Sequence, residues 1–385
     1  MPPPGAFLTE EDFIKEDFFP LRIAFCEDCK FVQLVDIVSK TELFQKHFYL
    51  SSISKTLSQH FADYANEIVE TFRPNIILEI GSNDGVLLEP FRKLGVRAIG
   101  VEPCKQVADM SKSRNLETIV DFFTESLARK LVKTVGKVDV ITANNVFAHI
   151  DGLDDVMRGL QVLLKDNGIF VFEVQYLVDL IEKLQYDFIY HEHVSYYSIM
   201  ALQPYFEKFG MEIFDVKRMP THSGSIRVFV RRNGSRKEPI SKDIEKLLAL
   251  ERRLGLDRLE TFIRFSRNVE SHKTQLTKLL KKIKADGKTI AGFGAGGRCS
   301  VLTNYCKITS DLVNFIGDDS PFRQNKYVPG VHIPVVPSQK INEDKPDYIL
   351  LFAWNYAGEI MKKHQTFIDG GGKFIVPLPK ISVVP

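Results

Sequence analysis

The chain has 385 residues, 44% hydrophobic and 26% charged, and a formal net charge of +2. This length exceeds what one typical core organises, so two or three domains are expected. Because acidic and basic residues are mixed, the charge offers no footprint for nucleic acid, and no apolar run approaches the roughly 20 residues of a membrane span. The start lacks the basic and apolar regions of a secretory signal, so a cytoplasmic protein is expected.

Residues 1–65 are expected to form a small amino-terminal domain, the leader, which contains the C-x-x-C pair Cys26 and Cys29. Five cysteines do not describe a disulfide framework, and reduced thiols are expected in the cytoplasm. A structural zinc ion normally takes four ligands, and no His pair follows nearby to complete this set. Zinc at Cys26 and Cys29 and a small knuckle with two free thiols are both left open.

Residues 66–240 alternate short β-rich runs with amphipathic helical segments, which is typical of a doubly wound α/β sheet. The apolar run Ile76–Ile80 breaks into the turn Gly81-Ser-Asn-Asp-Gly85, and a second apolar run ends in Glu102, twenty-one positions after Gly81. This combination is the sequence form of a nucleoside-binding βαβ unit.

The acidic turn indicates which nucleoside is bound. Asp84 would repel a pyrophosphate at the helix N-terminus, whereas S-adenosylmethionine has a sulfonium and an ammonium that Glu79 and Asp84 attract. Glu102 is suited to accept hydrogen bonds from the ribose hydroxyls. The alternative is an ordinary strand–turn–helix junction with a capping aspartate. The cofactor interpretation predicts contacts from Glu79, Gly81, Ser82, Asn83, Asp84, Gly85, Glu102, Pro103, Asp121, Phe122, Asn144 and Asn145.

The segment Asp187–Ser198 carries the most concentrated chemistry, because His191 and His193 flank Glu192. In an extended segment the two histidines share one face and the glutamate points to the other. Imidazole titrates near pH 6.5 and suits a general base, and an H-x-H pair can also bind a metal if further ligands join it. A hydrogen-bonded loop at a domain interface is the structural alternative.

Between Ile244 and Ile283 apolar residues recur at helical spacing, which predicts a helical bridge over residues 241–285. Gly255 and a polar break around Ser271 predict two helices rather than one.

Residues 286–385 are expected to form a second, Rossmann-like domain. Gly292, Gly294 and Gly297 follow a predicted strand as G-x-G-x-x-G, and Asp318 ends the next strand. This turn contains no acid and precedes Arg298, so its N–H groups, helix dipole and guanidinium suit a phosphate. A nucleotide-sugar phosphate, a nicotinamide dinucleotide and an empty Rossmann-shaped domain are the three interpretations. The first predicts substrate contacts from Gly294, Gly296, Gly297 and Arg298.

Several segments match one known family in the same order along the chain. They are Cys26-Glu-Asp-Cys29 with Val32-Gln-Leu34, Tyr49-Leu-Ser-Ser52, Glu79-Ile-Gly-Ser-Asn-Asp-Gly85, Tyr190-His-Glu-His193 with Ser195-Tyr-Tyr197, Ser223-Gly-Ser-Ile-Arg227, Asn304-Tyr-Cys306, Pro329-Gly-Val-His-Ile-Pro334 and Trp354-Asn-Tyr356. On these residues the chain resembles the sugar C-methyltransferases that act on nucleotide-linked deoxysugars, and the resemblance covers nearly the whole chain.

The resemblance implies a class I methyltransferase domain between a zinc-binding leader and a second Rossmann-like domain, with S-adenosylmethionine as cofactor and a nucleotide-diphosphate sugar as substrate. It implies that His193 removes the C3 proton of a 4-keto sugar. Tyr49 and Tyr190 would lie near the developing enolate oxygen, and Glu192 would orient or polarise this group. The enolate then takes the methyl group, and no metal is needed for that step.

In the family the neighbourhood of Thr221–Arg227 faces the substrate, so His222 and Arg227 are candidate contacts to the sugar or the diphosphate. A hairpin turn with an exposed arginine is the alternative.

Two departures from the family pattern matter. The family's leader has an earlier C-x-x-C, and this chain begins at Met1-Pro-Pro-Pro, after that point, which leaves zinc open. The family's second glycine loop commonly contains a lysine where this chain has Gly296-Gly-Arg-Cys299, which leaves the nucleotide and sugar open. An O- or N-methyltransferase, an inactive binding homologue and a dinucleotide-dependent sugar oxidoreductase are the alternative functions. A monomer or small homo-oligomer is expected.

Overall fold

The computed structural model describes residues 1–5, 7–44, 50–53, 55–235 and 238–385. Within these residues, two seven-stranded sheets form two α/β domains and a three-stranded sheet organises the leader. The predicted fold class is confirmed: a methyltransferase-type doubly wound sheet, a second Rossmann-like domain and a small leader. None of the described helices combines the length and the apolar character that a membrane crossing requires.

The leader is built on a hairpin. Strand β1 (Ile23–Phe25) pairs antiparallel with β2 (Val32–Leu34), and the turn between them contains Cys26 and Cys29. Helix α1 (Lys40–Phe44) follows, and a short 3₁₀ turn (Glu10–Lys15) precedes the hairpin. Val32 and Leu34 are buried, which fixes one face of the hairpin against the next domain.

The central domain contains the elements expected of a doubly wound sheet. In chain order these are α2 (Lys55–Phe72), β3 (Ile76–Ile80), α3 (Leu88–Lys93), β4 (Arg97–Val101), α4 (Lys105–Ser113), β5 (Glu117–Ile119), α5 (Glu125–Thr134), β6 (Val138–Asn144), α6 (Leu153–Leu163), β7 (Leu164–Gln175), α7 (Leu177–Glu182), β8 (Ser195–Tyr196), α8 (Ile199–Glu207), β9 (Met211–Met219) and β10 (Ser225–Arg232). Short 3₁₀ turns lie at Ser51–Ile53, Phe147–His149 and Tyr186–Phe188.

The strand order of the central sheet is β5-β4-β3-β6-β7-β10-β9, and β10 is antiparallel to both of its neighbours. The inner strands are buried on both faces because helices cover both sides, which explains apolar runs such as Ile-Ile-Leu-Glu-Ile in β3. Strand β8 is not part of this sheet. It pairs antiparallel with β2, so the segment after His193 completes the leader's sheet.

The predicted bridge consists of two helices that belong to different cores. Gly255 has a φ of +71° and ends α9 (Lys242–Leu254), and α10 (Leu259–Ala285) follows. Residues of α9 pack in the central domain, and so does Phe262 at the start of α10, whereas α10 packs in the carboxy-terminal core from Val269 onwards. The predicted break at Ser271 is wrong, because Ser271 lies inside α10 and its Oγ accepts a hydrogen bond from Gln275 over 3.0 Å.

The carboxy-terminal sheet has the order β13-β14-β12-β11-β15-β16-β17, with the two outermost strands antiparallel to the rest. Its elements are β11 (Ile290–Phe293), α11 (Gly297–Cys306), β12 (Ile316–Asp318), β13 (Lys326–Tyr327), β14 (Pro334–Pro337), α12 (Lys340–Asp344), β15 (Tyr348–Leu351), a 3₁₀ turn (Trp354–Tyr356), α13 (Ala357–Lys363), α14 (Gln365–Asp369), β16 (Lys373–Val376) and β17 (Ser382–Val384). Its strand order reverses between β11 and β15, as that of the central sheet does between β3 and β6. Ligands of open α/β sheets bind outside the carboxyl ends of strands at such points.

Candidate active site

A cavity of about 1380 Å³ lies between the two α/β domains. Residues at the carboxyl ends of β3, β4, β5 and β6 form one wall, and residues after β11 and β15 form another. The leader contributes Gly5, Phe7, Lys40 and Phe44 to the lining. Ligands bound at the two sheets would therefore share one space.

The turn after β3 and the acid after β4 are in direct contact. Gly81 has a φ of +68°, and a Cβ there would lie 2.7 Å from Cγ2 of Val146. Asn83 also has a positive φ, and its N–H donates to Oε2 of Glu102 over 3.0 Å. Oε1 of Glu102 accepts the N–H of Cys104 over 2.8 Å. These bonds fix the carboxylate at the edge where a nucleoside would bind.

Three buried carboxyl groups, those of Glu79, Asp84 and Glu102, lie close together in this region. Burial raises the pKa of Glu79 well above its ordinary value, and the charges of Glu102 and Asp84 raise it further. Oε2 of Glu79 and Oδ1 of Asp84 have no hydrogen-bond partner among the described residues. Such a set fits a cationic ligand with hydrogen-bond donors, and S-adenosylmethionine is a ligand of that kind.

The cavity brings together most of the predicted cofactor residues, but not all of them. Glu79 lies in β3, and Ser82, Asp84 and Gly85 belong to the turn itself; these four residues do not line the cavity. Ser82, for example, is packed so closely on Gly100 that a Cβ there would lie 2.3 Å from its Oγ. For these four, direct contact with the cofactor stays a prediction. The residues that do line the cavity are Gly81, Asn83, Glu102, Pro103, Asp121, Phe122, Asn144 and Asn145.

His193 lines the cavity with a fixed ring orientation. Its Nδ1–H donates to the carbonyl oxygen of Phe188 over 2.8 Å, so Nε2 is the unprotonated, basic nitrogen. Burial lowers the pKa of His193 to about 4, and the charges of His222 and Arg298 lower it further. The imidazole is therefore neutral at pH 7 and able to accept a proton.

The two histidines of the motif do not share a face. The segment forms a turn in which the N–H of His193 donates to the carbonyl oxygen of Tyr190 over 2.9 Å, so the predicted extended conformation is wrong. His191 is buried away from the cavity, and its Nε2–H donates to the carbonyl oxygen of Pro20 in the leader over 3.1 Å. The H-x-H metal pair is therefore not formed. Among the residues that the structure describes, no group of three His, Cys, Asp or Glu side chains is placed to hold a metal ion.

Tyr190 and Glu192 line the cavity beside His193, and the rings of Tyr190 and His193 are 4.1 Å apart. Burial raises the pKa of Tyr190 well above its ordinary value, and the charge of Glu192 raises it further. The phenol therefore stays protonated and can donate a hydrogen bond. Tyr49, the other predicted tyrosine, lies outside the described residues.

The lining includes residues that were not predicted as functional, among them His149 and Tyr196. His149 ends the 3₁₀ turn after β6, and its ring centroid is 4.9 Å from that of His193. Tyr196 in β8 is buried at the cavity. The position of His149 just beyond the carboxyl end of an inner parallel strand was a usable signal, whereas the sequence holds no comparable signal for Tyr196.

Of the two hairpin residues predicted to contact the substrate, His222 lines the cavity and Arg227 does not. His222 lines the cavity with a φ of +53°, and its buried Nε2 has no hydrogen-bond partner among the described residues. Arg227 does not line the cavity: its Nε donates to Oε1 of Glu173 over 2.7 Å and its Nη1 donates to Glu67. The guanidinium also lies 4.1 Å from the ring centroid of Tyr64. The predicted substrate contact is therefore corrected for Arg227, because its charge is used inside the domain.

The second glycine loop forms the opposite wall. Gly294 has a φ of +93°, and a Cβ there would lie 2.7 Å from that of Ala353, whereas Gly296 has open space around it. The N–H of Ala295 donates to Oδ2 of Asp318 over 2.6 Å, so the predicted strand-end acid braces the loop. The lining of this wall includes Gly294, Gly296, Gly297, Arg298, Arg323, Lys326 and Lys363.

Cys26 and Cys29 are free thiols in an exposed turn, whereas the other three cysteines are buried elsewhere in the protein. Hydrogen bonds from backbone groups of Cys29 and Asp28 lower the pKa of Cys26, while burial raises the pKa of Cys29. Two thiols are half of a structural zinc site, so the described residues do not by themselves fit the metal.

Family models match three consecutive parts of the chain. Residues 1–44 match a proposed zinc-binding domain, residues 53–216 a methyltransferase domain, and residues 220–379 a C-methyltransferase C-terminal domain.

The chain is 34% identical over 378 residues to the C-methyltransferase NovU of Streptomyces niveus, covering 97% of this chain and 90% of that protein. A ubiquinone biosynthesis O-methyltransferase of Colwellia psychrerythraea is 26% identical over 120 residues, 30% of this chain and 49% of the relative. Among solved structures, the CcbJ methyltransferase of Streptomyces caelestis aligns with a TM-score of 0.37 and 15% identity, over 45% of this chain and 89% of that one. Magnesium protoporphyrin IX methyltransferase of Synechocystis with bound SAM aligns with a TM-score of 0.34 and 10% identity, over 46% and 79%.

Proposed function

This chain belongs to the S-adenosylmethionine-dependent C-methyltransferases, and on that premise we propose that it methylates C3 of a nucleotide-linked 4-keto-deoxysugar with His193 as the base. The observation that carries the proposal is the neutral imidazole of His193 in a cavity that both Rossmann-like domains line. One ligand on each sheet would meet at this residue.

The central sheet holds the methyl donor. S-adenosylmethionine, when bound, supplies an electrophilic methyl group on a sulfonium. Gly81 and Asn83 leave room for the ligand, Glu102 accepts from its hydroxyls, and the buried carboxyl of Glu79 favours its positive charge. Asp121 and Phe122 line the same wall, where the adenine of the cofactor would lie.

The loop Tyr190–His193, the catalytic loop, makes the acceptor carbon nucleophilic. Nε2 of His193 takes the C3 proton, and its Nδ1–H bond to Phe188 keeps the ring oriented while positive charge develops on it. The protonated phenol of Tyr190 donates to the 4-keto oxygen as it becomes an enolate oxygen, and one such preorganised donor supplies about 3 kcal/mol. Glu192 orients or polarises this group.

The second glycine loop and the basic side chains beside it suit the nucleotide diphosphate. Gly296 and Gly297 begin α11 with little side-chain bulk, so a phosphate can approach the helix N-terminus. Arg323, Lys326 and Lys363 line this end of the cavity. His222, with its unpartnered Nε2, offers a hydrogen bond to the sugar.

Solvent exchange tests the proposal without methyl transfer. The protein is incubated in heavy water with a 4-keto-deoxysugar nucleotide and S-adenosylhomocysteine, and deuterium at C3 is followed by mass spectrometry or NMR. We expect exchange with the unchanged protein and a loss of at least about 100-fold with His193→Asn. Exchange that persists in this variant would remove His193 as the base. If no exchange occurs but a parallel reaction with S-adenosylmethionine gives a methylated product, the acceptor is a hydroxyl or amine, whose methylation needs no enolate.

A further inference from the structure

We propose that the ion pair between Asp187 and Arg298 positions the catalytic base, so that the carboxy-terminal domain sets the orientation and strength of His193. The inference rests on the proposed function. Asp187 belongs to the 3₁₀ turn Tyr186–Phe188, which precedes Tyr190–His193, and Arg298 is the second residue of α11, directly after the second glycine loop. Arg298 was predicted from the sequence as a phosphate contact, and its contacts give it another task.

The pair is bidentate, and its carboxylate is buried while the Arg298 side chain is 13% exposed. Nε of Arg298 donates to Oδ2 of Asp187 over 2.8 Å and Nη2 donates to Oδ1 over 3.2 Å. Nε1 of Trp354 donates to the same Oδ2 over 2.8 Å, and Nη1 of Arg298 donates to Oδ1 of Asn355 over 2.9 Å. Asp187 is 1% exposed. The first turn of α11 and the 3₁₀ turn Trp354–Tyr356 of the carboxy-terminal domain thus hold one carboxylate of the central domain.

This contact reaches His193 through Phe188. The guanidinium of Arg298 lies between two rings, 4.3 Å from the centroid of Phe188 and 4.2 Å from that of Trp354. Phe188 follows Asp187 directly, its ring stacks on His193 with centroids 5.6 Å apart, and its carbonyl oxygen accepts the Nδ1–H of His193. A displacement of Asp187 would therefore move the acceptor that fixes the imidazole.

The same contacts connect the base to the substrate wall. A Cβ on Gly297, the residue before Arg298, would lie 3.7 Å from Cζ of Tyr190. Tyr190 therefore lies against the start of α11, beside the loop proposed to hold the nucleotide sugar, and His193 is connected to Arg298 through Phe188. Binding of the substrate to that loop would fix both groups together.

The electrostatic environment of His193 makes this testable. The groups that face it are Arg298, His222, His149 and Tyr190, with Glu192 next to it in the loop. The charge of Arg298 lowers the pKa of His193, and the opposite charge of Asp187 lies in contact with that guanidinium. Removal of one partner leaves the charge of the other uncompensated in a buried site.

The test compares Asp187→Asn with Arg298→Met by the pH dependence of C3 exchange. Asp187→Asn leaves a cation near the base, so the pH at which exchange becomes half-maximal should fall. Arg298→Met leaves an anion, so this pH should rise by about one unit. In both variants we expect the maximal rate to fall at least about tenfold, with KM for the nucleotide sugar within about threefold of the original. Arg298→Lys keeps the charge without the planar fork, and should lower the rate without moving the pH of half-maximal exchange.

A merely structural pair would give a different result, namely equal losses in both variants with no opposite displacement in pH. A phosphate contact by Arg298 would raise KM in Arg298→Met and leave Asp187→Asn close to the original. Either result would overturn the inference. Thermal unfolding and S-adenosylhomocysteine binding report whether each variant is folded. If Arg298→Met does not fold, the comparison of Arg298→Lys with Asp187→Asn still decides the test.

The matched control is the exposed pair of Arg97 and Glu117, which is also bidentate, at 3.0 and 2.9 Å, and lies at the amino ends of β4 and β5. Arg97→Met and Glu117→Gln should leave both the exchange rate and its pH dependence unchanged. If the unchanged protein shows no C3 exchange at all, the proposed function fails. If it exchanges normally but the opposite displacements do not occur, only the positioning role fails.

Discussion

The carbonyl oxygen of Phe188 accepts the Nδ1–H of His193 over 2.8 Å, and the two rings stack with an angle of 9° between their planes. This one neighbour therefore decides the tautomer, the ring plane and part of the burial of the base. Since burial lowers the pKa of His193 to about 4, the imidazole is already deprotonated at neutral pH, but it is a weak base. Under the proposed function, the rate would then depend on how well the enolate oxygen is stabilised, which is the role proposed for Tyr190.

The first prediction concerns acid stability. Burial lowers the pKa of both His193 and His222 to about 4, below the ordinary value near 6.5. Between these values the unfolded chain binds protons that the native protein does not, so the free energy of unfolding falls as the pH decreases from about 6.5 to about 4. Each imidazole should contribute up to about 1.4 kcal/mol per pH unit. Denaturant unfolding at several pH values measures the slope, which should be shallower in His193→Asn and His222→Asn. An unchanged slope in both variants would contradict the shifted pKa values.

The second prediction separates two glycines of one loop. Gly294→Ala places a side chain at a φ of +93° and 2.7 Å from Cβ of Ala353, so it should destabilise the loop by roughly 2 kcal/mol or more. Gly296→Ala has no atom within 4 Å of the new Cβ and should leave the stability of the ligand-free protein unchanged. Thermal unfolding with and without a nucleotide diphosphate measures both effects. S-adenosylhomocysteine binding should survive in both variants, and its loss in Gly294→Ala would indicate damage beyond the loop.

The fold was predictable because its strongest signals are local. The turn Gly81–Gly85 and the acid Glu102 are encoded by backbone conformation and spacing, and the structure joins them through the bond from Asn83 to Glu102. The prediction at Ser271 failed because polar residues occur both in a break between two helices and on the exposed side of one long helix. Only packing against the carboxy-terminal core distinguishes the two cases.

The candidate site was less predictable, because it depends on contacts between distant segments. His191 and His193 are two residues apart, yet the turn at Tyr190 sends one towards the leader and the other towards the cavity. Arg227 looked available in the sequence because its partner Glu173 is fifty-four residues away. The carboxylate that Arg298 contacts lies one hundred and eleven residues away in another domain, which no spacing rule reports.

The third prediction tests the corrected assignment of Arg227. Arg227→Met leaves the fully buried carboxylate of Glu173 without the guanidinium and with only the contact to Nε2 of His60 at 2.8 Å, so the free energy of unfolding should fall by roughly 3 kcal/mol. Lys217 pairs with Glu67, which Arg227 also contacts, but Lys217 is 47% exposed, so Lys217→Met should cost less than about 1 kcal/mol. Chemical denaturation compares the two variants. A stable Arg227→Met protein with a strongly raised KM for the nucleotide sugar would instead restore the substrate contact.

The last prediction concerns the charge that the cofactor brings. The pKa of Glu79 is raised first by burial and then by Glu102 and Asp84, so a bound cation should favour the ionised carboxyl and release a proton. Binding then improves as the pH rises, because fewer protons must be displaced. Titration calorimetry should show the affinity for S-adenosylmethionine rising by up to about tenfold per pH unit, and less for S-adenosylhomocysteine, whose sulfur is uncharged. Glu79→Gln should remove this dependence and weaken S-adenosylmethionine more than S-adenosylhomocysteine, whereas Glu117→Gln, at the amino edge of the same sheet, should change neither. Equal pH dependence for both ligands would mean that the sulfonium charge is not what the carboxyl groups recognise.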